Sequence, residues 1–130
     1  MSMNWIALVC AALMGLLLFG LGLAVSALRM RSGSFNAGSV ETDSVLHRVA
    51  RAHGNTAEFA PLLVALTLFL GARNPAGWAI GCIVGATASR FVLVIGLVFA
   101  SSMTRPNPMR FAGALGTYFF GAALCFALVR

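Results

Sequence analysis

Residues 5–28 read WIALVCAALMGLLLFGLGLAVSAL, twenty-four positions without one charged side chain. At about 1.5 Å per helical residue, a run of that length spans about 36 Å, enough to cross a hydrocarbon core about 30 Å thick. Outward from it, three further apolar stretches follow: Phe59–Gly71 with a more polar lead-in from Val45, Trp78–Ala100, and Phe111–Val129. The expected helices run over about 5–28, 44–71, 77–100 and 110–129, and together they occupy most of the 130 residues as one domain, 1–130. With 60% hydrophobic residues, 9% charged residues and a mean hydropathy of +0.93, the chain has too little polar surface to cover a water-soluble globule. The expected fold class is all-α, an integral membrane four-helix bundle embedded in membrane lipid. Met1-Ser2-Met3-Asn4 lacks the basic start of a cleavable signal, and the apolar run after it exceeds a signal core of roughly 7–15 residues, so the first helix is expected to be retained.

The net charge of +6 is arranged by topology. Arg29, Arg31, Arg48 and Arg51 flank the first loop and Arg105 and Arg110 the third, whereas the second loop holds Arg73 and the tail Arg130. The positive-inside rule places loops one and three in the cytoplasm and both termini outside it. These basic residues neither cluster on a polar face nor alternate with exposed aromatics, so no nucleic-acid partner is expected. All nine are arginine, which fits the codon bias of a GC-rich bacterial genome and an inner-membrane location. Cys10, Cys82 and Cys125 lie inside apolar runs, odd in number and without C-x-x-C spacing, and read as small buried hydrophobes with neither a disulfide nor a metal role.

The stretch Ser32–Asp43 has the strongest loop character and is the place for a flexible cytoplasmic cover, with Asp43 or Ser44 capping the second helix. Asn74-Pro75 and Arg105-Pro106-Asn107-Pro108 mark the other two turns. Small residues recur every fourth position at Gly81, Gly85 and Ser89 in helix three. In helix four a similar row runs through Ala112 and Gly116 to Phe120, and another through Gly113, Thr117 and Gly121. Such rows let helices approach closely in lipid.

The informative polar segment lies in helix two. At about 100° per residue, His47, Arg48, Arg51, Asn55 and Glu58 share one face. An ionised side chain at bilayer depth costs on the order of 2.5–3.5 kcal/mol, so this stripe must face other helices or a watered cavity. Arg90 projects from helix three with no acidic residue in its own helix, which leaves surplus positive charge among the spans. Surplus positive charge at that depth points to an anionic ligand. His53 lies off the stripe and reads as a packing residue, His47 as a solvated interfacial one, and Tyr118, the single tyrosine, as a core residue.

The run Arg51-Ala52-His53-Gly54-Asn55-Thr56-Ala57-Glu58-Phe59-Ala60-Pro61 resembles R-x-x-x-N-x-x-E-x-x-P, the second-helix signature of the membrane-associated proteins in eicosanoid and glutathione metabolism (MAPEG). The resemblance implies a homotrimer with glutathione, as co-substrate, bound between neighbouring subunits and open to the cytoplasm. It implies that Arg51 pairs with a glutathione carboxylate, Glu58 with its ammonium, and Asn55 with both donor and acceptor groups. Arg110, or else Arg105, would stabilise the thiolate as the catalytic arginine, and Arg29 or Arg31 would come from the neighbouring subunit. Helix three is similar to the family's R-x-x-[H/Y]-x-x-G at Arg90 and Gly96, but Leu93 and Leu97 stand where donors are expected.

The implied activity is a glutathione-dependent transferase or peroxidase acting on lipophilic electrophiles that partition from the bilayer. The alternative is a non-catalytic membrane protein that retains the fold and an anion-binding stripe. A small multidrug-type transporter is disfavoured, because that class carries its glutamate in the first helix and this first helix has none.

Overall fold

The computed structural model describes residues 2–35 and 40–130, and within them four α-helices follow one another: α1 (Trp5–Ser32), α2 (Val45–Ala72), α3 (Gly77–Val98) and α4 (Pro108–Leu128). All four are long and apolar enough to cross a membrane. The fold is all-α, as the hydropathy runs predict, and the chain is an integral membrane protein. The reason is physical: a backbone in hydrocarbon must satisfy its own N–H and C=O groups, and a single strand cannot.

Helix ends depart from the predicted ones by at most four residues. α1 continues past Leu28 through Arg29 and Arg31 to a left-handed cap at Gly33 (φ 68°), because arginine is a good helix former and its charge complements the C-terminal end of the helix. α4 begins at Pro108, not 110; proline is preorganised for a first helical position, and Asn107 accepts from the N–H groups of Met109 and Arg110. Ser44, not Asp43, caps α2 by accepting from the His47 N–H at 3.1 Å. Asp43 instead adopts φ 66° and turns its carboxylate to the third loop, accepting from the Met103 N–H at 2.7 Å and the Ser102 hydroxyl at 3.2 Å. That contact fixes loops one and three at the same end of the bundle. The Asn4 N–H donates to the Gly71 carbonyl at 3.0 Å, which puts the N-terminus at the opposite end beside the second loop. The expected cytoplasmic cover over Ser32–Asp43 falls partly on residues 36–39, which lie outside the described residues.

α1 packs chiefly on α2 and α4 chiefly on α3, and among the described residues α1 and α4 do not touch. The small-residue rows explain how closely α3 and α4 meet. Gly85 faces the Phe120 ring, Gly116 faces Ser89, and Gly113 lies against the backbone of Leu93, whereas Gly81 meets nothing. His53 sits as a packing residue, its ring against Gly22 of α1. Cys10 is buried, but Cys125 is exposed, which corrects the reading of all three thiols as buried; α4 turns much of its surface outward and Cys125 lies on that side.

The interior is divided by depth. One apolar cluster, with Met14, Leu63, Ile83 and Leu124, fills the half near the second loop. Another, with Leu21, Val49, Ala52, Leu93 and Leu97, fills the half near loops one and three. Between them lies a buried polar layer of Thr56, Thr87, Arg90 and Thr117.

Candidate functional site

Three helical rows face a common space at the arginine-rich end. α2 contributes Arg51, Asn55 and Phe59, α3 contributes Arg90, Leu93 and Leu97, and α4 contributes Arg110, Ala114 and Tyr118. Each is an i, i+3/i+4, i+7/i+8 series, the stripe that one side of a helix presents. The space they enclose has a volume of about 780 Å³ and is rimmed by the third loop from Met103 to Pro108. Among the described residues four arginines line it, Arg51, Arg90, Arg105 and Arg110, and no aspartate or glutamate does.

Arg90 is the innermost charge. It is fully buried, donates one N–H from Nη2 to the Thr56 hydroxyl at 3.1 Å, and its guanidinium carbon stands 5.5 Å from the centre of the Phe59 ring. Its Nε and Nη1 are buried without a protein partner, as is Oδ1 of Asn55. Orphaned donors on a buried cation are costly, and they are an unmet demand for an oxyanion or for water. Among the described residues Thr56 supplies the one protein acceptor that Arg90 has, so Thr56→Val should destabilise the fold by about 1–3 kcal/mol by orphaning a further N–H, while Thr56→Ser retains stability. Thermal unfolding of the two variants in detergent distinguishes these outcomes.

Arg110 is partly committed. Its Nη1 donates to the Met103 carbonyl at 3.0 Å and thereby anchors the rim, while Asn107 ties the same rim to α3 through a 3.0 Å bond to the Gly96 carbonyl. Arg105 is exposed on that rim. Arg48, although on the predicted stripe, leaves the cavity and donates to the Ala100 carbonyl at the end of α3.

The structure therefore brings together Arg51, Asn55, Arg90, Arg105 and Arg110 and separates other candidates from them. Glu58 is exposed and does not line the cavity. The cause is helical drift: the row Arg51–Asn55–Phe59 advances about 40° at each four-residue step, so it turns away from Glu58, and the Phe59 ring takes the place at that depth. Arg29 and Arg31 end α1, one half-buried and the other exposed, and neither lines the cavity. Tyr118 corrects the core reading, being 58% exposed and on the cavity wall, with its ring edge against Phe59 at 5.6 Å. A signal for it was available, since Tyr118 stands eight residues after Arg110 and so shares its helical face. Thr56 carried no such signal, because it lies off the polar stripe.

A family model matches residues 7–130 and describes the MAPEG family. The chain belongs to that family. No curated protein and no solved structure gave a match. MAPEG proteins are membrane glutathione-dependent enzymes, and the match covers all four helices, so the MAPEG assignment includes every element that lines the cavity.

Proposed function

We propose that the chain is a membrane glutathione-dependent transferase or peroxidase whose thiol site is the arginine-lined cavity. The carrying observation is that, among the described residues, four arginines and no carboxylate surround one cavity of about 780 Å³. Pockets of about 300–1,000 Å³ suit a small ligand, and a guanidinium-rich wall suits a ligand with carboxylates. Arg51 holds a carboxylate, Asn55 accepts from and donates to the peptide, and Arg90, with Arg105 and Arg110 above it, places positive charge at the thiol. That charge lowers the thiol pKa from about 8.5 and raises the thiolate fraction at neutral pH. The thiolate then attacks an electrophilic carbon, and the C–S bond forms as the leaving group departs.

Lipophilic second substrates reach the site from the bilayer along the apolar wall of Phe59, Phe111 and Tyr118. The outward faces of α1 and α4 serve to join subunits, three in the family arrangement. There Glu58 meets the ammonium group, and Arg29 and Arg31 reach a neighbour's site. Loops one and three, which carry the arginine excess, lie in the cytoplasm of a bacterial cell with both termini outside.

Titration of purified protein with glutathione is expected to show binding that Arg51→Ala weakens about tenfold or more, the worth of a charge-assisted hydrogen bond of about 1.5–3 kcal/mol. Turnover of a chloronitroaromatic should fall in parallel. A wild type that binds no glutathione overturns the reading. The non-catalytic alternative draws on Leu93 and Leu97, which put two apolar side chains on the cavity wall; binding without turnover of any electrophile would favour it.

A further inference from the structure

Among the described residues, three hydroxyl groups line the cavity, those of Thr104, Thr117 and Tyr118. Thr117 donates to the Gly113 carbonyl of its own helix at 2.7 Å, the back-bond common for a buried threonine. Thr104 shares a 2.8 Å bond with Ser102 on the exposed rim. Tyr118 is left, and it sits two turns deeper in α4 than Arg110, on the same face. Its ring makes an edge-to-face contact with Phe59 at 5.6 Å, and the Arg90 guanidinium stands 5.5 Å from the centre of the same Phe59 ring. A cation, a phenyl ring and a phenol are thus neighbours on one wall. The α3 part of the wall offers only Leu93 and Leu97 beyond Arg90, so no hydroxyl comes from that side.

We propose that the Tyr118 phenol is the hydroxyl donor that holds the sulfur of the bound thiolate, an inference that rests on the thiol-dependent reading above. The thiol releases its proton to water as it binds. The phenol O–H donates a hydrogen bond to the resulting sulfur anion and keeps its own proton throughout. The sulfur lone pair forms the C–S bond with a chloronitroaromatic, the C–Cl bond breaks, and chloride leaves. An O–H donor to an anion stabilises it more than it stabilises the neutral thiol, so the hydroxyl acts on the ionisation of the thiol and leaves the recognition of its carboxylates to the arginines.

Tyr118→Phe keeps the edge-to-face ring contact and removes only the oxygen. With glutathione bound, the pH midpoint of the thiolate ultraviolet absorbance is expected to rise by about one unit in the variant, with kcat about tenfold lower and KM for glutathione within about twofold. Binding of S-methylglutathione, which has no ionisable thiol, should be unchanged. A second measurement needs no variant: the chain has one tyrosine, so a near-ultraviolet difference spectrum of the wild type on adding glutathione reports on Tyr118 alone among phenols. A tyrosine band shift is expected with glutathione and a weaker one with the S-methyl analogue. A variant with midpoint and kcat equal to wild type, or a wild type with no tyrosine shift on binding, overturns this inference while the thiol reading stands. A wild type that binds no glutathione overturns both.

Discussion

Replacing Arg90 by methionine should abolish most anion binding while making the empty protein more stable. The two effects have one cause. The guanidinium is fully buried between two apolar clusters, with one hydrogen bond to Thr56 and two nitrogens without a protein partner. Each unmet buried donor costs about 1–3 kcal/mol, and a cation at membrane depth costs on the order of 2.5–3.5 kcal/mol on the lenient insertion scale. Against this, the Thr56 bond contributes about 1.5–3 kcal/mol and the Phe59 ring up to about 2 kcal/mol. The costs exceed the gains, and methionine would fill the same space without them. The freed Thr56 hydroxyl can bond back to its own helix, as Thr87 does to the Ile83 carbonyl at 2.9 Å.

With an anion in the cavity the balance reverses. At about 4–6 Å and an effective dielectric constant of about 20, unit charges attract by about 3–4 kcal/mol, which is a hundredfold or more in affinity. Arg90→Met is therefore expected to lose at least about a hundredfold in glutathione affinity while its apo thermal midpoint rises. Calorimetric titration and thermal unfolding of the same detergent preparation check both signs. Unchanged affinity would show that Arg90 does not act on the ligand; a lowered midpoint would show that it is a structural strut.

How far the sequence could be read follows from what each signal contains. Apolar runs specify spans because lipid leaves the backbone no choice but internal hydrogen bonds, so all four helices were legible from hydropathy. Their ends were less so, since Arg29 and Arg31 can continue a helix as readily as leave it, and Asp43 can cap α2 or, as observed, turn to Met103. A helical wheel placed Arg51 and Asn55 on one face with Glu58 and Arg48, but a wheel holds only angles. Which part of the face a neighbour covers depends on where the α3 and α4 axes lie, and that placed Phe59 at the cavity, left Glu58 out and sent Arg48 to Ala100. Arg90 was legible as a surplus charge; its partner Thr56 was not, because a threonine in an apolar helix reads the same whether it bonds a neighbour or its own backbone. The core reading of Tyr118 failed because hydropathy treats a tyrosine among phenylalanines as one of them, whereas the eight-residue spacing from Arg110 pointed to the cavity.

The close approach of α3 and α4 sets a second large expected effect. A Cβ built on Gly113 would lie 2.5–2.6 Å from the N, Cα and Cβ of Leu93, two of them backbone atoms that cannot rotate away. Gly113→Ala must therefore push the two helices apart at the level of Leu93, one turn from Arg90. Overpacking of this kind costs about 1–3 kcal/mol, and backbone atoms that cannot yield put this contact at the upper end; the better helix propensity of alanine returns about 1 kcal/mol, leaving a net loss of up to about 2 kcal/mol. Gly113→Val adds a branched side chain to the same contact and should give little folded protein.

Gly121 supplies the comparison on the same helix, since a Cβ there would meet only the Leu63 side chain at an ordinary 3.6 Å. Gly121→Ala should then be neutral or stabilising by up to about 1 kcal/mol through propensity alone. Thermal midpoints of the two alanine variants in one detergent decide the matter. Equal midpoints would mean that α3 and α4 are not held together through Gly113 and that the small-residue row is incidental. If Gly113→Ala remains folded but loses glutathione affinity, the separation of α3 and α4 also sets the width of the cavity, because Leu93 on one helix and Arg110 and Tyr118 on the other form opposite parts of its wall.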